Sequence, residues 1–158
     1  MKELTIKIMN EDKAKKAKEL FESGYNCSQA VLGAFADELG LDTDTAMKIS
    51  SSFGGGMGRL REVCGAVSGM FMVAGMKYGY ASPEASEEKK ELYKKIQELA
   101  GEFEQSNGSI VCRELLGLSA KKDNPAPEPR TDSYYKKRPC AELVADAAGM
   151  IAEYIKKN

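Results

Sequence analysis

Four cysteines are the residues of this 158-residue chain whose types could carry chemistry: Cys27, Cys64, Cys112 and Cys140. The chain contains no histidine, which excludes histidine-dependent catalytic triads, histidine general bases and histidine-ligated metals. No CxxC pair occurs, so zinc ribbons, RING modules and thioredoxin-type motifs are absent as well. Any site that the cysteines share must therefore be assembled by the tertiary fold.

Each cysteine falls in the first turn of a different predicted helix: Cys27 after the Asn26 cap, Cys64 after a glycine-rich loop, Cys112 after the Ser109 cap and Cys140 after Pro139. The N-terminus of a helix carries about half a positive elementary charge and free N–H groups. Both favour a thiolate over a thiol and lower the pKa of a cysteine. The four positions therefore predict activated thiols, which form one site if the helix ends converge.

The leading hypothesis is a cysteine-based redox protein with catalytic Cys64 and Cys27. We expect Cys64 to be the most activated thiolate, and Cys112 and Cys140 to be resolving thiols or co-ligands. In one version a thiolate attacks a disulfide and a second cysteine resolves it. In the other, all four cysteines bind an iron–sulfur cluster that carries electrons.

Two alternatives belong to different functional classes. In the first, the four cysteines hold a structural or sensor zinc ion without catalysis. In the second, the cysteines only pack as small apolar residues, and the protein is a helical binding module. Its glycine-rich loop then takes an anionic ligand or cofactor through Gly54, Gly55, Gly56 and Arg59, because glycine-rich loops before helices expose backbone N–H groups.

Composition narrows the class of protein further. The formal net charge is -1, which argues against nucleic acid as a partner. No unbroken apolar region follows Met1, so we expect a cytoplasmic protein with reduced thiols. Residues 63–76 carry no charge, but this stretch is shorter than the roughly 20 residues that span a bilayer. We therefore predict a buried central helix there, no membrane insertion and, from its apolar character, a homodimer.

Helix signals recur along the chain and strand signals are nearly absent, which predicts one all-α domain over residues 1–158. The apolar spacing and caps predict helices over residues 11–23, 27–39, 43–53, 62–78, 83–105, 111–116 and 140 to the C-terminus. Residues 118–138 show no periodicity and contain three prolines, which predicts a long irregular loop.

The segment from Cys64 to Gly69, CGAVSG, resembles a family labelled C_GCAxxC, which has four characteristic cysteines and a CGAxxG segment. Residues 24–30 (GYNCSQA) and 53–56 (FGGG) also resemble this family, and Cys112 and Cys140 fit its third and fourth cysteines. The literal string GCAxxC is absent, because Gly65 follows Cys64 and position 69 is glycine. The resemblance implies an all-helical bacterial or archaeal protein with a redox role carried by the cysteines. It names no substrate.

Overall fold

A computed structural model describes residues 2–119 and 122–158. Every regular secondary-structure element among these residues is a helix. The helices are α1 (Lys2–Glu22), α2 (Cys27–Phe35), α3 (Thr43–Ser51), α4 (Gly54–Met57), α5 (Gly65–Tyr78), α6 (Ser86–Asn107), α7 (Cys112–Leu115), α8 (Asp132–Lys137) and α9 (Cys140–Lys157). The predicted all-α fold is confirmed. No helix among these residues is both long and apolar enough to cross a membrane.

Helix α5 is the centre of the fold, as its uncharged sequence predicts. It packs against α2, α6 and α9, while α1 packs against α2 and α9. Most of α5 from Gly65 to Ala74 is buried. Its Met70 is one of the largest fully buried side chains of the core, with Phe21, Phe35, Phe103 and Ile151 from other helices. The apolar character of α5 is thus explained largely within one chain, and the homodimer stays a prediction.

Local capping signals place several helix ends correctly. Asn26 and Gln29 form the predicted capping box at the start of α2, and Gly79 ends α5. The predicted start of α6 at Pro83 is wrong, because the N–H of Glu84 bonds to Ser82 Oγ and that of Ala85 to the Ser82 carbonyl, which closes a separate turn. Helix α1 begins earlier than the predicted residue 11, and α2 ends before the predicted residue 39.

The proline-rich segment 118–138 is only partly irregular, and this corrects the prediction. Helix α8 (Asp132–Lys137) begins where the Thr131 hydroxyl accepts a hydrogen bond from the N–H of Tyr134. The segment packs against α1. The Tyr135 hydroxyl donates a hydrogen bond to the carbonyl of Glu22, and the Tyr135 ring contacts the Phe21 ring edge-on. It therefore covers part of the bundle as an ordered strap, a name used below for residues 122–138.

The glycine-rich segment before α5 forms a left-handed turn. Residues 55–59 all have φ between 62° and 69°, and this run includes the non-glycine residues Met57 and Arg59. Left-handed backbone costs about 1–2 kcal/mol per residue for ordinary side chains, and glycine avoids that cost. The predicted incompatibility of this segment with a regular right-handed helix is confirmed, and the turn brings residues 54–56 against α2 and α7.

Glycines on one side of α5 permit its close contact with α2, which gives a test of the packing. A Cβ on Gly69 would lie 2.9 Å from both the Ser28 carbonyl oxygen and Val31 Cβ, whereas a Cβ on Gly75 would meet no atom within 4 Å. Gly69→Ala should lower the free energy of unfolding by about 1–3 kcal/mol, and Gly75→Ala should raise it by about 0.4–1 kcal/mol. Urea unfolding measures both, and equal effects at the two positions would contradict this packing.

Candidate functional site

All four cysteines lie at helix starts, as the sequence predicts. Cys27, Cys112 and Cys140 are the first residues of α2, α7 and α9, and Cys64 is the residue that precedes α5. Cys64, Cys112 and Cys140 are buried and Cys27 is partly exposed. Four helix N-termini therefore supply backbone N–H groups and partial positive charge to the cysteines.

Two short extended segments hold Cys64 and Cys112 beside each other. The N–H of Cys64 bonds to the carbonyl of Ile110 at 2.8 Å, and the N–H of Cys112 bonds to that of Glu62 at 2.5 Å. Between these bonds Val63 and Val111 form an antiparallel bridge. This pairing fixes the starts of α5 and α7 relative to each other.

Glycines let the backbone approach two of the cysteines. A Cβ on Gly65 would lie 3.0 Å from Cys27 Cβ, and one on Gly56 would lie 2.5 Å from Cys112 Cβ. A larger residue at either position would push a cysteine away. The glycines near the cysteines thus act as close-packing positions.

The four cysteines line one cavity of about 260 Å³. The same cavity is lined by all the residues that the sequence predicts for cofactor or anion binding: Gly54, Gly55, Gly56 and Arg59. The two groups of predicted site residues, which are separate motifs in the sequence, therefore belong to one place in the fold.

Three further arginines line the cavity that sequence reasoning did not place there: Arg61, Arg130 and Arg138. Arg138 lines the cavity from a position two residues before Cys140, and Arg130 comes from the strap. The proximity of Arg138 to Cys140 in sequence was the one local signal for this site.

Cys140 is the most acidic of the four thiols. The S–H of Cys27 donates a hydrogen bond to its sulfur, and Arg138, Arg130 and Arg61 add favourable charge, so the pKa of Cys140 lies below its usual 9.0 although burial opposes the shift. The same hydrogen bond, together with burial, holds the pKa of Cys27 well above its usual value. Cys27 and Cys140 therefore form a pair in which Cys27 keeps the proton and Cys140 carries the thiolate.

The expectation that Cys64 is the most activated thiolate is wrong. Burial raises the pKa of Cys64 to about 12, and this outweighs the N–H groups of Val67 and Ala66 that favour its thiolate. Burial also raises the pKa of Cys112, although the Arg61 guanidinium donates to its sulfur at 3.7 Å and opposes the shift. Desolvation therefore dominates the helix-end effect at these two cysteines.

The cysteines do not close around a single metal ion. Among residues 2–119 and 122–158, no three side chains of cysteine, aspartate or glutamate are grouped so that they could hold one. The predicted four-cysteine zinc site gains no support from this arrangement. The space between the thiols is instead a cavity with arginines at its wall.

Comparison with known proteins gives one match. A family model described as "Putative redox-active protein (C_GCAxxG_C_C)" matches residues 25–154, which contain all four cysteines. The label contains the string GCAxxG, and the corresponding residues 64–69 read CGAVSG. Gly69 agrees with the final glycine of that string, and only the order of Cys64 and Gly65 differs from it. Searches of curated proteins and of solved structures return no match.

Proposed function

Because the chain belongs to the C_GCAxxG_C_C family, which is described as redox-active, we propose that Cys27 and Cys140 form a dithiol that reduces disulfides. The observation that carries this proposal is the position of the two thiols at the wall of one cavity, where Cys27 and three arginines lower the pKa of Cys140. A dithiol cycle needs a nucleophilic thiolate and a second thiol in contact with it. This pair supplies both.

In the first step the Cys140 thiolate attacks one sulfur of a substrate disulfide. A bond forms between Cys140 Sγ and that sulfur, the substrate S–S bond breaks, and the other half leaves as a thiolate. Arg138, Arg130 and Arg61 face Cys140 and stabilise the negative charge while it lies on sulfur. The departing thiolate takes the proton of the Cys27 thiol.

In the second step the Cys27 thiolate attacks Cys140 Sγ and expels the second half of the substrate as a thiolate. The largest cause of the raised Cys27 pKa is its hydrogen bond to Cys140, and this cause disappears once Cys140 is in a mixed disulfide. Formation of the mixed disulfide thus makes Cys27 a better acid when it has to react. Two electrons pass from the dithiol to the substrate, whose halves leave as one thiol, protonated by Cys27, and one thiolate, protonated by solvent.

An iron–sulfur cluster is the second candidate. It is favoured by the single cavity that all four cysteines line, and by the arginines at its wall, which would offset the negative charge of four cysteine thiolates. When bound, a cluster would supply one-electron transfer. It ranks second because no three cysteines of the described chain are grouped so that they could hold a metal ion.

One experiment separates the two candidates. Protein purified without oxygen is examined by visible absorbance, then treated with hydroxyethyl disulfide, and its disulfides are mapped by mass spectrometry. The dithiol proposal expects a colourless protein and a peptide pair that joins Cys27 to Cys140. Visible absorbance that is lost with the bound iron would favour the cluster, and a colourless protein that forms no disulfide would contradict both.

A further inference from the structure

We infer that the cavity recognises a small organic anion, and that the disulfide reduced by Cys27 and Cys140 carries carboxylate groups. This inference rests on the proposed dithiol function for its redox step. The recognition itself depends on the arginines of the cavity wall and can be measured by binding, without a redox step.

The wall of the cavity has more positive than negative side chains. Four arginines line it, whereas Glu128 is the only acidic residue in the lining, and Glu128 pairs with Arg138. Arg130 has no carboxylate partner among the described residues: it donates to the carbonyls of Phe21 and Tyr25, each at 3.1 Å, and lies over aromatic rings. A guanidinium without a carboxylate partner at a cavity wall favours an anion there.

Arg61 adds an independent sign of a missing partner. It is 4% exposed and lines the cavity, and its Nε is a buried donor with no acceptor in the described structure. Its other guanidinium nitrogens do have partners, Cys112 Sγ at 3.7 Å and Asp123 Oδ2 at 3.1 Å. A buried donor without a partner destabilises the fold, so an anion that engages Arg61 would remove a cost already present.

A carboxylate of the chain itself holds part of this surface. Asp123, from the strap, pairs with Arg59 and Arg61 through one oxygen, each at 3.1 Å, and its side chain is 33% exposed. Asp123 does not line the cavity. The Asp123 ion pairs show that Arg59 and Arg61 can bind a carboxylate. An anionic ligand would compete with Asp123 for these two arginines.

The rest of the lining selects an organic ligand over a bare inorganic anion. Apolar side chains form much of the wall: Phe21, Leu115, Leu116, Pro125, Pro127 and Leu143. A volume of about 260 Å³ lies just below the usual range for organic ligands, roughly 300–1,000 Å³. A short aliphatic chain with a terminal carboxylate fits both the size and the mixed character of this wall.

The test compares three aliphatic disulfides of similar length and different charge: dithiodipropionate (anionic), hydroxyethyl disulfide (neutral) and cystamine (cationic). With dithiodipropionate the dithiol becomes the Cys27–Cys140 disulfide and the substrate becomes two mercaptopropionate molecules. The rate of oxidation should be at least about tenfold higher with the anionic disulfide than with the neutral one, and lowest with cystamine. Equal rates for the three would overturn the inference and leave the proposed dithiol function intact.

Variants then assign the preference to the cavity wall. Arg130→Gln, or Arg59→Gln if the first does not fold, should reduce the preference for the anion several-fold, whereas Asp123→Asn should increase it. Arg113→Gln is the matched control, because Arg113 pairs with Glu62 and does not line the cavity. A loss of preference in Arg113→Gln equal to that in Arg130→Gln would overturn the assignment.

A binding measurement does not depend on the redox step. Suberate, which has the chain length of dithiodipropionate but no sulfur, should bind the reduced protein in a calorimetric titration and should bind Arg130→Gln more weakly. If none of the three disulfides oxidises the cysteines but suberate binds in this way, the dithiol function fails and the anion site stands. Failure of suberate to bind would overturn the anion site.

Discussion

Replacing Cys140 with serine should lower the rate of reaction with hydroxyethyl disulfide at pH 7 by about a hundredfold or more. Only the thiolate is nucleophilic, and Cys140 is the one cysteine whose pKa lies below its usual value. A thiol with a pKa of about 12, as in Cys64, has roughly one molecule in 100,000 ionised at pH 7. Cys64 therefore cannot replace Cys140 as the nucleophile.

The control for this variant is Cys64→Ser, which removes a buried thiol from the same cavity wall and should leave the rate within about twofold. The rate is followed under excess disulfide, and circular dichroism checks that both variants are folded. A loss of rate in Cys64→Ser with little change in Cys140→Ser would contradict the assignment of the nucleophile and return it to Cys64.

The pH dependence of the native protein follows from the same pairing. The rate should reach half its maximum below pH 9.0, because Cys27, Arg138, Arg130 and Arg61 lower the pKa of Cys140. A lowered pKa in the folded state also stabilises the fold above the unfolded pKa, and this stability is lost as pH falls through the folded pKa. Alkylation of the native and the urea-unfolded protein across pH values measures the difference.

The sequence was sufficient for the starts of α2 and α9 because their signals are local. Asn26 with Gln29, and Pro139 before Cys140, are short patterns whose effect on the backbone does not depend on distant residues. The start of α8 at Thr131 has a signal of the same kind, a hydroxyl that caps the N–H of Tyr134. The density of prolines before it concealed that cap in the sequence.

The order of thiol acidity could not be predicted from the sequence, because it depends on tertiary burial. A helix N-terminus lowers the pKa of a cysteine, and all four cysteines have one, so the sequence cannot rank them. Cys64 differs from Cys140 in its neighbours. Burial raises the pKa of Cys64, and no arginine opposes this shift. Cys140 faces three arginines from different parts of the chain, which lower its pKa. Arg130 and Cys140 meet only when the strap folds over the bundle.

The strap connects the recognition of an anion with the chemistry of the pair. Arg130 lies over the rings of Phe21 and Tyr134, and burial followed by the nearby Cys140 raises the pKa of Tyr134 to about 12. Tyr134 thus remains a neutral phenol beside the thiolate. The strap supplies Arg130 and Arg138, which lower the pKa of Cys140, and it adds Pro125, Pro127 and Tyr134 to the cavity wall.

Replacing Gly56 with alanine should have the largest effect on stability, about 3 kcal/mol or more. Its φ of 69° disfavours an alanine by about 1–2 kcal/mol. A Cβ there would also lie 2.8 Å from Arg61 Cα, 2.9 Å from the Glu62 nitrogen and 2.5 Å from Cys112 Cβ. Two of these neighbours are backbone atoms that cannot turn away, so overpacking adds a further cost of about 1–3 kcal/mol.

Gly58→Ala is the matched control, because it lies in the same left-handed turn with a φ of 62° but a Cβ there would meet only the Ser52 carbonyl oxygen, at 3.7 Å. The free energy of unfolding of Gly58→Ala should fall by about 1–2 kcal/mol, the conformational cost alone. Urea unfolding can separate this from the larger decrease in Gly56→Ala. Because the added Cβ presses on Cys112 and on the backbone of Arg61, Gly56→Ala should also change the alkylation rate of Cys112, and Gly58→Ala should not. Equal losses of stability in the two variants would mean that the turn is needed for its backbone conformation alone and not for its close approach to α7.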